Sequence, residues 1–175
     1  MPATFLISDT HFGHRNICKF LRADGTKLRP WDNPDEMDEI LVDNWNKTVR
    51  PKDKVYHLGD VVINRRCLQT LSRLNGDKVL IKGNHDIFKI HEYLEYFRDI
   101  RGSHVMDNML LTHIPVHPSS KGRFKANLHG HTHSNVVTDH ENNPDPWYIP
   151  LSVEHINYTP ISFEEIRKQV NGLVA

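Results

Sequence analysis

Apolar residues fall in short runs along this chain, and nearly every run stops at a polar cluster. Thr4-Phe5-Leu6-Ile7 reads as a short buried strand ending at Asp9. Lys54-Val55-Tyr56-His57-Leu58 predicts a second strand, ending at Gly59-Asp60, and Lys78-Val79-Leu80-Ile81 a third, ending at Gly83-Asn84-His85-Asp86. His104-Val105-Met106 and Met109-Leu110-Leu111-Thr112 flank Asp107-Asn108, a hairpin pattern whose second arm ends at His113. Ala126-Asn127-Leu128-His129 runs into Gly130-His131-Thr132-His133, and a looser alternation from Trp147 to Val153 predicts a further strand.

Helical spacing appears between these runs. Asn33-Pro34-Asp35-Glu36 is a helix start: an N-cap, a proline at the first position, then acids in the first turn. Met37, Ile40, Leu41, Asn44, Trp45 and Thr48 follow on one face, and Arg50-Pro51 stops the helix. Cys67, Leu68, Leu71 and Leu74 predict a second amphipathic helix, closed by Asn75-Gly76. Residues 87–98 carry a weaker helical pattern, and Ser162-Phe163-Glu164-Glu165 is a capping box that opens a last helix. Residues 115–125 and 138–146 read as polar loops. With no internal repeat and no linker, the expectation is one α/β domain over residues 1–175.

Composition narrows the function classes. Lys+Arg and Asp+Glu are 22 each, so no global field holds nucleic acid or an anionic membrane. A phosphate preference must come from a local site. Two cysteines, Cys18 and Cys67, make no disulfide framework or thiolate zinc module. The opening segment lacks a basic region, its apolar run is too short for a signal peptide, and no stretch is long enough to span a bilayer. A cytoplasmic location without membrane association is therefore expected. Histidine is abundant, at 13 copies.

The polar clusters share a position: each sits where a strand gives way to a loop. Ligands in α/β sheets gather at the carboxyl ends of strands, so adjacent strands would bring the clusters to one edge. Asp9, Asp60, Asn84, His11, His85, His113, His131 and His133 supply two carboxylates, one amide and five imidazoles. That is a ligand set for two adjacent divalent metals with one histidine to spare, and paired metals hydrolyse phosphate esters. A carboxylate such as Asp60 has two oxygens and can bridge two cations. His85 can carry a proton to a leaving group. Imidazole with carboxylate suits manganese, iron, nickel or zinc, and the lack of thiolate argues against structural zinc. Singly, each cluster also reads as an ordinary turn; together, in this order and each behind a strand, they make a site.

In that order, Asp9-x-His11, Gly59-Asp60, Gly83-Asn84-His85-Asp86, His113 and Gly130-His131-x-His133 resemble the signature of the calcineurin-like metallophosphoesterase superfamily. The resemblance covers nearly the whole chain. It implies a four-layer β-sandwich flanked by helices. It also implies a first metal on Asp9, His11, Asp60 and His133, and a second on Asp60, Asn84, His113 and His131. Asp60 would bridge them, with His85 as proton donor. One departure is informative. Where the protein Ser/Thr phosphatase branch carries an aspartate that orients the catalytic histidine, this chain has Ile63. That disfavours protein phosphatase activity and leaves Asp86 as a candidate to orient His85.

The expected reaction is hydrolysis of a small phosphomonoester or phosphodiester by in-line attack of a metal-bridging hydroxide, while His85 protonates the leaving oxygen. The alternatives are a nuclease acting on short nucleic acid, a cyclic-nucleotide phosphodiesterase, and a non-catalytic scaffold of the same fold. His14, Arg15 and Asn16 follow the first cluster closely and either contact substrate phosphate or face solvent. His117, Lys121, Arg123 and Lys125 form either a phosphate clamp or a solvated basic loop. His57 reads as a packed neighbour of the site, His129 as core or support, and Trp147-Tyr148 as packing aromatics or a base-stacking pair.

Overall fold

In the computed structural model, residues 1–174 are described. Two sheets carry the fold. Strands β1 (Thr4–Ile7), β2 (Lys54–His57), β3 (Asp77–Ile81) and β4 (Asp99–Arg101) run parallel, and β9 (Ile161–Ser162) pairs antiparallel with β1, in the order β4-β3-β2-β1-β9. The second sheet has the order β5-β6-β7-β8, from β5 (His104–Met106), β6 (Met109–Leu111), β7 (Ala126–His129) and β8 (Tyr148–Pro150). Here β5 and β6 form the predicted hairpin, with Asp107 and Asn108 both at positive φ (47° and 59°) as such a turn requires. The other pairs are parallel.

Side-chain alternation along the strands builds two cores. Leu6, Tyr56, Val79 and Ile81 point between the sheets and meet Met109, Leu111, Leu128 and Ile149. Ile7, Val55 and Leu80 point to the other face, where they join Met37, Leu41 and Trp45 of helix α1 (Pro34–Thr48). Asn33 caps α1 by accepting the Glu36 amide at 2.9 Å. Helix α3 (Phe163–Val174) opens on the predicted capping box, with Ser162 Oγ donating to the Glu165 carboxylate at 2.7 Å and accepting its amide at 3.2 Å. Ile166 and Val170 of α3 seal one side of the inter-sheet core.

The sequence pattern and the structure part at three places. Residues 65–73 form a 3-10 helix rather than an α-helix. Leu68, Leu71 and Leu74 are spaced three apart, and that spacing lines up on one face only at three residues per turn. Only Ile90–Leu94 of the stretch 87–98 is helical, as α2. Strands β4 and β9, three and two residues long, were too short to leave an alternation.

The sheets join at the edge where the parallel strands end. Ser8, one residue past β1, bridges in parallel to Ser152, two past β8, and Ser8 O accepts the Val153 amide at 3.1 Å. Ile7 is level with His57 and His57 with Leu80, while Leu111 is level with Leu128. The polar clusters beyond β1, β2, β3, β6 and β7 therefore share one rim.

Candidate metal centre

Five of the seven residues expected as ligands sit in left-handed backbone: Asp9 (φ 58°), His11 (50°), Asp60 (55°), His131 (69°) and His133 (49°). Asp and His tolerate this region better than most residues, and hydrogen bonds across the rim hold them there. The Asp9 amide donates to Gly59 O at 3.0 Å, the His11 amide to Asp60 O at 3.1 Å, and the Gly130 amide to His113 O at 2.9 Å. Gly59, at φ +99°, has no room for a side chain: a Cβ would lie 2.6 Å from Gly83 N and 2.7 Å from His113 Nδ1.

The side chains converge in two triads. Asp9, His11 and His133 form one; Asp60, His113 and His131 form the other; within each, the ligand atoms lie within 4.8 Å of one another. Either triad could hold a metal ion. Asp60 reaches both, with Oδ2 3.3 Å from His113 Nε2 and 3.7 Å from His11 Nε2. Asn84 joins the second triad through Oδ1, 2.8 Å from His113 Nε2 and 2.9 Å from His131 Nδ1.

The donor set fits cations. His113 Nδ1 faces Leu58 O at 2.7 Å, and a carbonyl only accepts, so Nδ1 carries the proton. Nε2 then faces the oxygens of Asp60 and Asn84, an arrangement that calls for a positive charge between them, supplied by a second ring proton or by a cation. His11 tells the same story: it is 2% exposed, and neither ring nitrogen has a hydrogen-bond partner among the described residues. An unpartnered buried imidazole is costly unless something coordinates it.

Electrostatics agree. Burial works against the charge on Asp9, but the nearby His11 and His133 rings hold its pKa far below the carboxylate range. Burial also opposes charge on Asp60, and its bond to His113 again wins. Burial disfavours protonated His113 and His133, yet Asp60 raises the first and Glu154 the second. Burial lowers His11, and burial with nearby His113 lowers His131.

Several residues support the rim. Asp86 is fully buried and accepts three amides: Asp60 and Gly83 through Oδ2 (2.9 and 2.8 Å) and Val61 through Oδ1 (2.9 Å). This corrects the expectation that Asp86 orients His85, because its carboxylate is committed to the backbone. His57 stacks near Trp45, its Nε2 3.0 Å from Thr10 Oγ1, while its Nδ1 accepts the Gly59 amide at 3.2 Å. Thr10 Oγ1 in turn donates to Val61 O, so the His57 proton is on Nε2. Burial pushes its pKa down to about 3. His129 is buried on the outer face of β7 beside Tyr148.

His85 is exposed at the mouth, its ring 5.7 Å from that of His11 and its amide bonded to Asp60 Oδ1 at 2.8 Å. His14 lies against His11, at 5.4 Å between ring centres, and burial brings its pKa down to about 4. Arg15 and Asn16 are exposed on a 3-10 turn, with Arg15 lining a separate cleft alongside Asp32 and Asp35. In the basic loop, Lys121 pairs with Asp145 and Lys125 lies 3.7 Å from Asp107. Trp147 is half-buried, donating to Phe124 O at 2.9 Å.

Three residues at the site escaped the sequence reading. Ser152 Oγ donates to Asp9 Oδ2 at 2.8 Å. The Glu154 side chain, fully buried, faces His133 Nδ1 at 3.2 Å, and Arg29 donates to the same Glu154 oxygen at 2.9 Å. Glu154 directly follows the predicted strand ending at Val153, so the rule that found the other clusters also marks it. Arg29, in a mixed loop, carried no such signal.

No family model matches the chain. An uncharacterized protein of Methanocaldococcus jannaschii, MJ1445, is 38% identical over 179 residues, covering 97% of this chain and 92% of its own length. The chain belongs to the same family. The gene 66 protein of Mycobacterium phage D29 is a more distant relative, 27% identical over 209 residues, 99% of this chain and 98% of its own. Among solved structures, a protein of unknown function from Aquifex aeolicus, AQ665, superposes with a TM-score of 0.70 at 28% identity, over 96% of this chain and 99% of its own. An archaeal protein described as a novel phosphodiesterase aligns at a TM-score of 0.45 and 21% identity over 84% of this chain and 81% of its own, too loosely to bear on function. The two mixed sheets gather the ordered clusters on their shared rim. Among the described residues no helix is long and apolar enough to cross a membrane.

Proposed function

We propose that the chain is a dinuclear metal-dependent phosphoesterase acting on a small phosphomonoester or phosphodiester. The observation that carries this reading is the convergence of Asp60 Oδ2, Asn84 Oδ1 and His113 Nε2, linked through Asp60 to a buried His11 without hydrogen-bond partners among the described residues. Asp9, His11, Asp60 and His133 would hold one divalent ion, and Asp60, Asn84, His113 and His131 the other. Bound there, manganese, iron, nickel or zinc would supply Lewis acidity to the phosphoryl oxygens and lower the pKa of water toward about 7.

The chain's own groups then have distinct tasks. The Asp60 carboxylate sets the spacing of the two positions, since its Oδ1 is pinned by the His85 amide while Oδ2 faces both triads. His85 stands on the open side, where it can protonate a leaving oxygen. Its exposure lets the ring reorient toward substrate.

Size and charge favour a small ester. Two clefts flank the centre, one of about 380 Å³ beside Asn84 and His113, the other of about 450 Å³ beside His131 and His133. Of their lining residues only Lys82 is cationic, and the loop lysines 121 and 125 are matched by Asp145 and Asp107. Free cations along a track, which a nucleic-acid backbone needs, are not what lines this mouth. The two free cysteines suit a reducing cytoplasm.

A panel of metal-reconstituted assays tests the reading, comparing an aryl phosphate, a bis-aryl phosphate, cyclic nucleotides and short single strands. Turnover of at least one small ester, dependent on added metal, is expected. Silence on every ester with both positions loaded would instead indicate a scaffold.

A further inference from the structure

We propose that the buried Arg29–Glu154 ion pair is the positioning unit of the first triad, fixing the His133 ring and the main chain at Asp9 so that this triad takes its cation more tightly than the second. The inference rests on the reading of both triads as metal positions.

Both side chains of the pair are fully buried, with Arg29 Nε 2.9 Å from Glu154 Oε1. The same guanidinium donates to Thr10 O at 2.8 Å and to Asp9 O at 2.5 Å. It thereby clamps the carbonyls of the turn in which Asp9 and His11 adopt positive φ. Glu154 Oε1 faces His133 Nδ1 at 3.2 Å. One cation and one carboxylate thus tie together the backbone at Asp9 and the ring of His133, two members of one triad drawn from opposite sheets.

The chemistry follows from the contacts. A carboxylate accepts the Nδ1 proton, which fixes the tautomer and leaves the His133 Nε2 lone pair for a cation. An ionised acceptor also makes the ring a better donor than a neutral one would. The second triad is built otherwise: His113 Nδ1 is backed by the uncharged Leu58 carbonyl. A buried ion pair is poor evidence of a stability role, because well-packed apolar residues usually serve as well. Placement against two members of a triad is what a positioning role requires.

The test titrates Mn²⁺ into the metal-stripped full-length chain, comparing wild type with Glu154→Gln by calorimetry, with near-ultraviolet circular dichroism confirming the fold. Two unequal steps are expected in the wild type. In Glu154→Gln the tighter step should weaken by about 10–100-fold while the looser one holds. Two steps of unchanged affinity in Glu154→Gln, or equal weakening of both, would overturn the positioning role and leave the phosphoesterase reading standing. A wild type that binds no Mn²⁺ would overturn both. Should Glu154→Gln fail to fold, ring ¹⁵N shifts of His133 in the wild type still decide. Nδ1 protonated with Nε2 bare supports the role, and the opposite tautomer rejects it.

Discussion

The two triads use the same ligand types in different surroundings. Asp9 and His11 lie beneath the rim, and His133 is backed by an ionised pair. On the other side His131 and Asn84 are exposed, and His113 leans on a backbone carbonyl. Charge backing and burial slow ligand loss, whereas exposed ligands exchange easily. On the proposed reading, the contrast would let one half of the centre keep what it binds while the other stays open to solvent. Asp60 belongs to both halves.

Removing that shared residue is the most severe perturbation. Asp60→Asn should weaken metal uptake at both positions and reduce turnover by roughly 10²–10³-fold or more. Full metal content by elemental analysis would show that the halves do not share it. His85→Ala should cut turnover of alkyl esters by about 10²-fold or more while keeping both metals. Activated aryl esters, whose leaving oxygens need no proton, should lose less, and equal losses would reject the acid role. Chelation probes the contrast itself. Brief exposure to EDTA should withdraw one equivalent of metal quickly, from the exposed half, and the other slowly. A single phase would erase the distinction.

Stability under the buried half should respond as well. The folded His57 ring is neutral with a pKa near 3, against about 6.5 for an ordinary histidine. As pH falls below about 6.5 the unfolded chain takes up the proton first, so stability is present above that value and drains toward pH 3. The slope is at most about 1.4 kcal/mol per pH unit. His57→Phe should flatten this slope in urea titrations, and an unchanged slope would place the proton uptake elsewhere.

Much of the centre was legible because every cluster follows an apolar run, and three of the five also turn through left-handed backbone at Asp or His. Asp9, His11, Asp60, Asn84, His113, His131 and His133 are brought together where those runs end. The less legible residues act across the fold. Arg29 meets Glu154 from 125 residues away, a pairing that no periodicity reports. Asp86 was placed on the right rim with the wrong partner, since sequence adjacency to His85 says nothing of three amides from two loops. The spacing of Cys67, Leu68, Leu71 and Leu74 marks an amphipathic helix without naming its kind, because a step of three fits an α-helical face loosely and a 3-10 face closely.

The parallel bridge between Ser8 and Ser152 has a practical corollary. Each half of the centre draws donors from both sheets, so a slip of that joint by a fraction of an ångström would separate them while every strand stayed intact. Catalysis should thus be the first property lost in mild denaturant, well ahead of the far-ultraviolet signal.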